Sequence, residues 1–296
     1  MEARPEILNV RILAGFVACA AAMAAWFPVQ LSLAAVFLFA GPHNWMEARY
    51  FAARMPVRWG AQRPFFVVAI TGIAALSLTF SSIPLHRSVW HSATALWVLI
   101  LLRMSRSEVF SIALPIAFGW MAFAWAVPGV ADLALLFLHP LTALWFVHRQ
   151  IGRTRPEWLA GFRMLAVALL PLASLVVWSH RASFAVPTLA SFVQLLLPPT
   201  LVALHAFLEL LHYGAWVFLL PLIGLASAPW DFGAIPLVRH RAGWPRLVKA
   251  ALLAGAAAVT LLWVGFFLDY RTTREVYFTL AIVHVMAEVP FLVWLR

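Results

Sequence analysis

Three carboxylates in this chain fall inside apolar stretches, and each has a histidine four residues before it: His43 with Glu47, His205 with Glu209, His284 with Glu288. The remaining Asp and Glu fall at expected segment ends or in connections. On a helix, residues four apart lie about 40° apart around the axis and about 6 Å apart along it, so each pair presents two polar groups on one face. His212 extends the middle pair, following Glu209 by three residues. An ionisable group at membrane depth costs on the order of 3 kcal/mol on insertion scales, so three such carboxylates need a partner inside the protein. Imidazole and carboxylate together can hold a metal ion or pass a proton.

Metal binding is the first chemistry these residue types suggest. His43, His139, His212 and His284 are the leading ligands, one from each of four helices, with His205 as an alternate fourth or a fifth. A histidine-rich set without cysteine suits non-haem Fe(II), as one or two ions, with Zn as the other candidate. Glu47, Glu209 and Glu288 serve either as direct ligands or as acceptors for the second ring N–H of a ligating histidine. Tyr213, beside His212, is a candidate donor to a bound oxygen species, against a plain structural role. His148 lies beside Arg149 and is expected at headgroup level, while His86, His91, His180 and His240 fall near segment ends and are expected at the interface.

The elements that must carry these side chains are membrane helices. Hydrophobic residues make up 64% of the chain and charged residues 11%, and the mean hydropathy is +0.92. That composition defines an all-α, polytopic transmembrane bundle and excludes a soluble enzyme. About ten helices are expected, near residues 11–27, 29–49, 65–83, 88–104, 109–127, 130–149, 158–178, 199–225, 247–268 and 274–295. Only Pro28 separates the first two, and Pro187, Pro198 and Pro199 crowd the start of the eighth, which is expected to be long or broken. The first segment follows Arg4 and Arg11 as a signal peptide would, but no small-residue cleavage pattern interrupts it, so it reads as a retained helix. With no long soluble stretch, residues 1–296 read as a single integral membrane domain.

Charge sets the orientation. Of 21 Lys and Arg, all but Arg87, Arg181, Arg271 and Arg274 fall on one side when the segments alternate, which places both termini in the cytoplasm of a bacterial inner membrane. The net charge of +10 therefore needs no nucleic acid; it orients the chain and can hold anionic lipid headgroups. Counting inward from the cytoplasmic arginines puts His43 about 9 Å, His139 about 15 Å and His284 about 18 Å deep, with His212 at a similar level. Cys19 is the one cysteine, so neither a disulfide framework nor a thiolate site is available. Walker, GxGxxG and GxSxG patterns are absent.

The segment GPHNWME, from Gly41 to Glu47, resembles the PHGxxD element of the bacterial and archaeal β-carotene-cleaving dioxygenases, the bacteriorhodopsin-related-protein family. The order of the later elements is similar too: a middle-helix histidine (His139), a two-histidine helix (His205 and His212), and a final helix with His284 and Glu288. The chain departs from that pattern in Glu47 for Asp, Asn44 for Gly, a spacing of seven between His205 and His212, a final acid one position early, and HPL around His139. The resemblance implies a multi-helix membrane protein that uses histidine-bound iron and O2 on a carotenoid.

The leading expectation is thus a membrane-embedded, histidine-ligated iron oxygenase. Its partners are the lipid bilayer, O2 and a lipophilic small molecule such as a carotenoid, another isoprenoid or a fatty chain. Cleavage, hydroxylation and desaturation all remain open. A proton-coupled transporter relaying protons through the His/Glu pairs is the alternative from a different class. Haem binding between two facing histidines is a third.

Overall fold

A computed structural model describes residues 10–81, 86–179, 199–225, 230–241 and 244–295. Arg4, His180, Arg181, Pro187, Pro198 and Arg296 lie outside the described residues. Within them every regular element is helical: α1 (Val10–Trp26), α2 (Pro28–Arg54), α3 (Arg63–Ser81), α4 (Arg87–Met104), α5 (Phe110–Ala126), α6 (Pro128–Thr154), α7 (Leu159–Ser179), α8 (Pro199–Gly214), a short α9 (Pro236–Arg239), α10 (Pro245–Leu268) and α11 (Tyr270–Trp294). The described helices include six long and apolar enough to cross a membrane, with two shorter apolar helices beside them. The charges of α2 fall towards its end, where Glu47, Arg49 and Arg54 follow a run that is apolar through Ala40.

The chain divides into two compact units that interleave in sequence. The first comprises Met1–Met46 and Pro140–Ser227, the second Glu47–His139 and Ala228–Arg296. Two of the three divisions, after Met46 and after His139, fall inside continuous helices, α2 and α6.

In the first unit α1 packs on α7 and α8, and α7 on α8. Small residues make this close approach possible: α1 buries Ala20, Ala21 and Ala24, and α8 buries Ala203 and Ala206. Every residue of α8 and its continuation from Ala206 to Trp216 is buried, so the polar stripe His205, Glu209, His212 belongs to a helix enclosed by protein. After Gly214 the helix does not stop; it widens into π-helical turns over Ala215–Leu219 and Pro221–Leu225. Pro221 explains the widening, since it has no N–H to give and its ring clashes with the carbonyl four residues back. Gln150 of α6, fully buried, donates to the Ile223 carbonyl at 3.4 Å and so serves a group that the wide turn exposes.

In the second unit α4 packs on α3 and α5, and α11 on α3, α4 and α10. The core joins Phe65, Phe66, Leu76, Trp90, Trp97 and Met286. Two tryptophans of α4 are anchored to backbone of α3, Trp90 Nε1 donating to the Leu76 carbonyl at 2.9 Å and Trp97 Nε1 to the Val68 carbonyl at 3.0 Å. Between those two carbonyls lies Gly72, where a Cβ would fall on the Trp97 indole. Buried indole N–H groups need acceptors, and here the helix backbone provides them only because Gly72 lets α4 approach. Asp269 caps α11 by accepting from the Thr272 amide at 3.1 Å, and hydrogen bonding from the Thr272 hydroxyl and then from its amide holds the carboxyl below the usual carboxylate range.

Candidate metal centre

Two candidate ligands, His43 and His139, lie beside a proline inside their helix. Pro42 lies inside α2, immediately before His43, and removes the N–H that would bond the carbonyl one turn back. His43 is buried, and its Nδ1 lies 2.9 Å from the Phe39 carbonyl. A carbonyl can only accept, so Nδ1 carries the proton and Nε2 keeps its lone pair, the tautomer a metal ligand needs. The His43 ring lies 4.5 Å from the Tyr213 ring and edge-on to His212 at 5.3 Å between centroids. A ligand nitrogen of His43 and one of His212 approach within 4.8 Å.

Along α8 the other polar groups of the first unit form a short ladder. Tyr213 donates its hydroxyl to Glu209 Oε1 at 2.6 Å, and His205 Nδ1 lies 3.8 Å from Glu209 Oε2. The Tyr213 hydroxyl, a candidate donor to bound oxygen by sequence, is thus directed to a carboxylate of its own helix. His205 lies two turns from His212, about 10 Å along the axis, and faces Glu209 instead.

The second unit holds the tighter group. His139 of α6 and His284 of α11 approach with Nε2 to Nε2 at 3.1 Å, and His139 Nδ1 lies 3.3 Å from Glu288 Oε2. Glu288 is therefore partnered by a histidine of another helix, in addition to sharing a face with His284. Pro140 follows His139 directly and Pro290 follows Glu288 by two residues, so both helices are weakened at the site, as α2 is at His43. Glu47, on α2, brings a carboxylate oxygen within 4.8 Å of a His284 nitrogen. Its Oε2 is buried without a hydrogen-bond partner among the described residues. Glu47 and Glu288 are each 1% exposed. A carboxylate buried to that extent needs a proton, a hydrogen-bond donor or a cation beside it.

These residues fit a metal. Two imidazole nitrogens bound at about 2.1 Å on adjacent coordination positions stand roughly 3.0–3.4 Å apart, and a pair on opposite sides of one ion about 4 Å. The 3.1 Å between His139 and His284 is the adjacent case. A buried His/Glu group can hold a metal ion; within the second unit Glu288 lies 3.3 Å from His139 Nδ1, and Glu47 lies within 4.8 Å of a His284 nitrogen.

Of the site residues expected from sequence, the first unit contains His43, His205, Glu209, His212 and Tyr213, and the second Glu47, His139, His284 and Glu288. His148 accepts from Arg163 Nε at 3.2 Å, on the side of α6 expected to meet headgroups. His91 differs from its expected interfacial place: it is 1% exposed and lies 2.9 Å from Asp132, with Arg87 3.6 Å from the same carboxylate. Asp132, five residues into α6, supplies the partner that lets a histidine near the start of α4 be buried. Nothing in the local sequence of either helix signals that pairing.

Compared with models of protein families, with curated proteins and with solved structures, the chain matches none.

Proposed function

We propose that this protein is a membrane-embedded, histidine-ligated non-haem iron oxygenase acting on a lipophilic substrate, a carotenoid, another isoprenoid or a fatty chain. Within the second unit the ligands are drawn from His139 and His284, with Glu47 and Glu288 as the carboxylates. The observation that carries the reading is the 3.1 Å approach of His139 Nε2 and His284 Nε2, with Glu288 on the far nitrogen of His139. Two histidines and a carboxylate on one side of an ion are the donor set of non-haem Fe(II) oxygenases, and the second unit holds both residue types, with Glu47 within 4.8 Å of a His284 nitrogen. The distant resemblance of GPHNWME to the carotene-cleaving dioxygenases supports the same reading.

Bound iron would supply the one-electron chemistry that O2 needs to react with a hydrocarbon. The chain's own contribution is positional. The Phe39 carbonyl fixes the His43 tautomer, Glu288 orients His139, and the apolar helices around the group exclude water. Membrane depth suits a substrate that never leaves lipid.

Metal analysis of detergent-purified protein, with an optical spectrum of the same sample, tests this. Near-stoichiometric iron without a haem band is expected, and two irons per chain would favour hydroxylation or desaturation. Folded protein that stays metal-free after anaerobic Fe(II) loading would overturn the proposal. The ladder His205, Glu209, Tyr213 favours a second reading, a proton-coupled transporter, because its groups are spaced for proton passage along α8. In that case Glu209→Gln would abolish proton uptake into proteoliposomes.

A further inference from the structure

The first unit contains a cavity of about 400 Å³ that the site chemistry does not use. Its volume lies within the range of about 300–1,000 Å³ found for small-molecule sites. Four elements line it, and no lining side chain is polar. Because α8 turns about 100° per residue, Leu211, Ala215 and Phe218 face this cavity while His212 and Glu209 occupy the neighbouring stripe. Gly214 also lines it, and a Cβ there would meet the Phe16 ring, so Phe16 can lie flat against the helix. Ile12, Phe218 and Leu222 line the cavity and are each more than half exposed, which opens it sideways.

Basic residues adjoin the cavity without lining it. Val147 and Phe162 line it, and the next residues in the chain are His148 and Arg163, joined by the 3.2 Å bond from Arg163 Nε. The Phe162 ring lies 6.2 Å from the His148 ring. Arg149 and Arg153 lie on the same end of α6, and Arg155 begins the connection to α7, where Glu157 is the one acid and pairs with Arg155 at 4.0 Å. Arg163 is exposed and has no carboxylate partner among the described residues. A hydrocarbon slot that opens sideways, with an exposed guanidinium next in the chain to one of its lining residues, matches one ligand chemistry: an acyl chain with an anionic headgroup.

The geometry points to a binding site for an anionic phospholipid, its acyl chain between α1, α6, α7 and the α8 continuation and its phosphate on Arg163. The arginine-rich ends of α6 and α7 form the surface expected to face the cytoplasm, so the lipid belongs to that leaflet. A guanidinium offers paired N–H donors to phosphate, whereas a zwitterionic choline headgroup adds a cation that the arginines repel. The site uses none of the His/Glu residues and stands whether or not the protein binds iron.

The test is native mass spectrometry of the full chain in detergent, titrated with dioleoyl phosphatidylglycerol, dioleoyl phosphatidylcholine or oleate. Phosphatidylglycerol is expected to be retained at least ten-fold better than phosphatidylcholine. Arg163→Gln should reduce that preference about five-fold, the effect of one basic residue at a lipid surface. Arg58→Gln, in the second unit, should not. Ala166→Trp, which fills the slot, should reduce retention of both phospholipids, and Leu144→Phe repeats the test more mildly should the tryptophan variant not fold. Equal retention of the two phospholipids, an Arg163→Gln variant with unchanged preference, or displacement of phosphatidylglycerol by equimolar oleate would overturn the assignment.

Discussion

His43 and His139 have different neighbours at Nδ1. The first gives its Nδ1 proton to the Phe39 carbonyl of its own helix, the second faces Glu288 of α11. A carboxylate in that position orients the ring and raises its basicity, and such partners are worth about 10–100-fold in metal affinity. Glu288→Gln should therefore weaken iron retention by about that factor, and His139→Ala should abolish it; equal losses by metal analysis would make Glu288 a direct ligand. His284→Ala should behave as His139→Ala, whereas His148→Ala, at the Arg163 contact, should keep its iron. Tyr213→Phe should lower thermal stability by about 1–3 kcal/mol, the cost of a buried acceptor left without its donor, with iron content unchanged. Loss of iron in that variant would mean that the hydroxyl serves the centre directly. At this scale the sequence shows which residues are polar at depth, because spacing along one helix is visible in it. It does not show partners across helices, and so His139 with Glu288, or His91 with Asp132, cannot be read from it.

Among the elements, the loosened turns were only partly legible. Pro42, Pro140 and Pro290 are plain in the sequence, and all three are carried within continuous helices. The π-turns after Gly214 are not plain: an α-helix and a π-helix of the same residues differ in which carbonyl each amide finds, and Gln150 on another helix helps decide that. Gly72 is similar, for it reads as a tolerated glycine until Trp97 is seen lying on it. Gly72→Ala should cost about 1–3 kcal/mol by overpacking, because the indole must move and lose its bond to Val68. Gly119→Ala on α5 has nothing within 4 Å of the added carbon and should stay within about 0.5 kcal/mol of the parent. Comparable melting temperatures for the two variants in one detergent would remove the α3–α4 approach as a source of stability.

For the whole molecule, hydropathy located nearly every long helix: the stretch expected at 158–178 is Leu159–Ser179, and that expected at 247–268 is Pro245–Leu268. Ends were placed less well where charged residues extend a helix beyond its apolar run. α2 continues to Arg54 and α6 to Thr154, because Arg and Glu are good helix formers wherever their heads reach water. The division into two interleaved units was invisible, since two of its three boundaries fall within the continuous helices α2 and α6. At this scale the placement of basic residues bears on orientation. Basic residues gather at the ends of α2, α4 and α6 and the starts of α3, α7 and α10, and these ends share one side if every helix crosses. A green fluorescent protein fused after Arg296 should therefore fluoresce and an alkaline phosphatase there should be inactive, while phosphatase inserted between α3 and α4 should be active. Replacing Arg54, Arg58 and Arg63 together with Gln should weaken that contrast by removing much of the bias flanking α2 and α3, whereas Arg271→Gln and Arg274→Gln should sharpen it. The opposite pattern, phosphatase active at the C-terminus and fluorescence lost, would invert the chain and move the phospholipid site to the other leaflet.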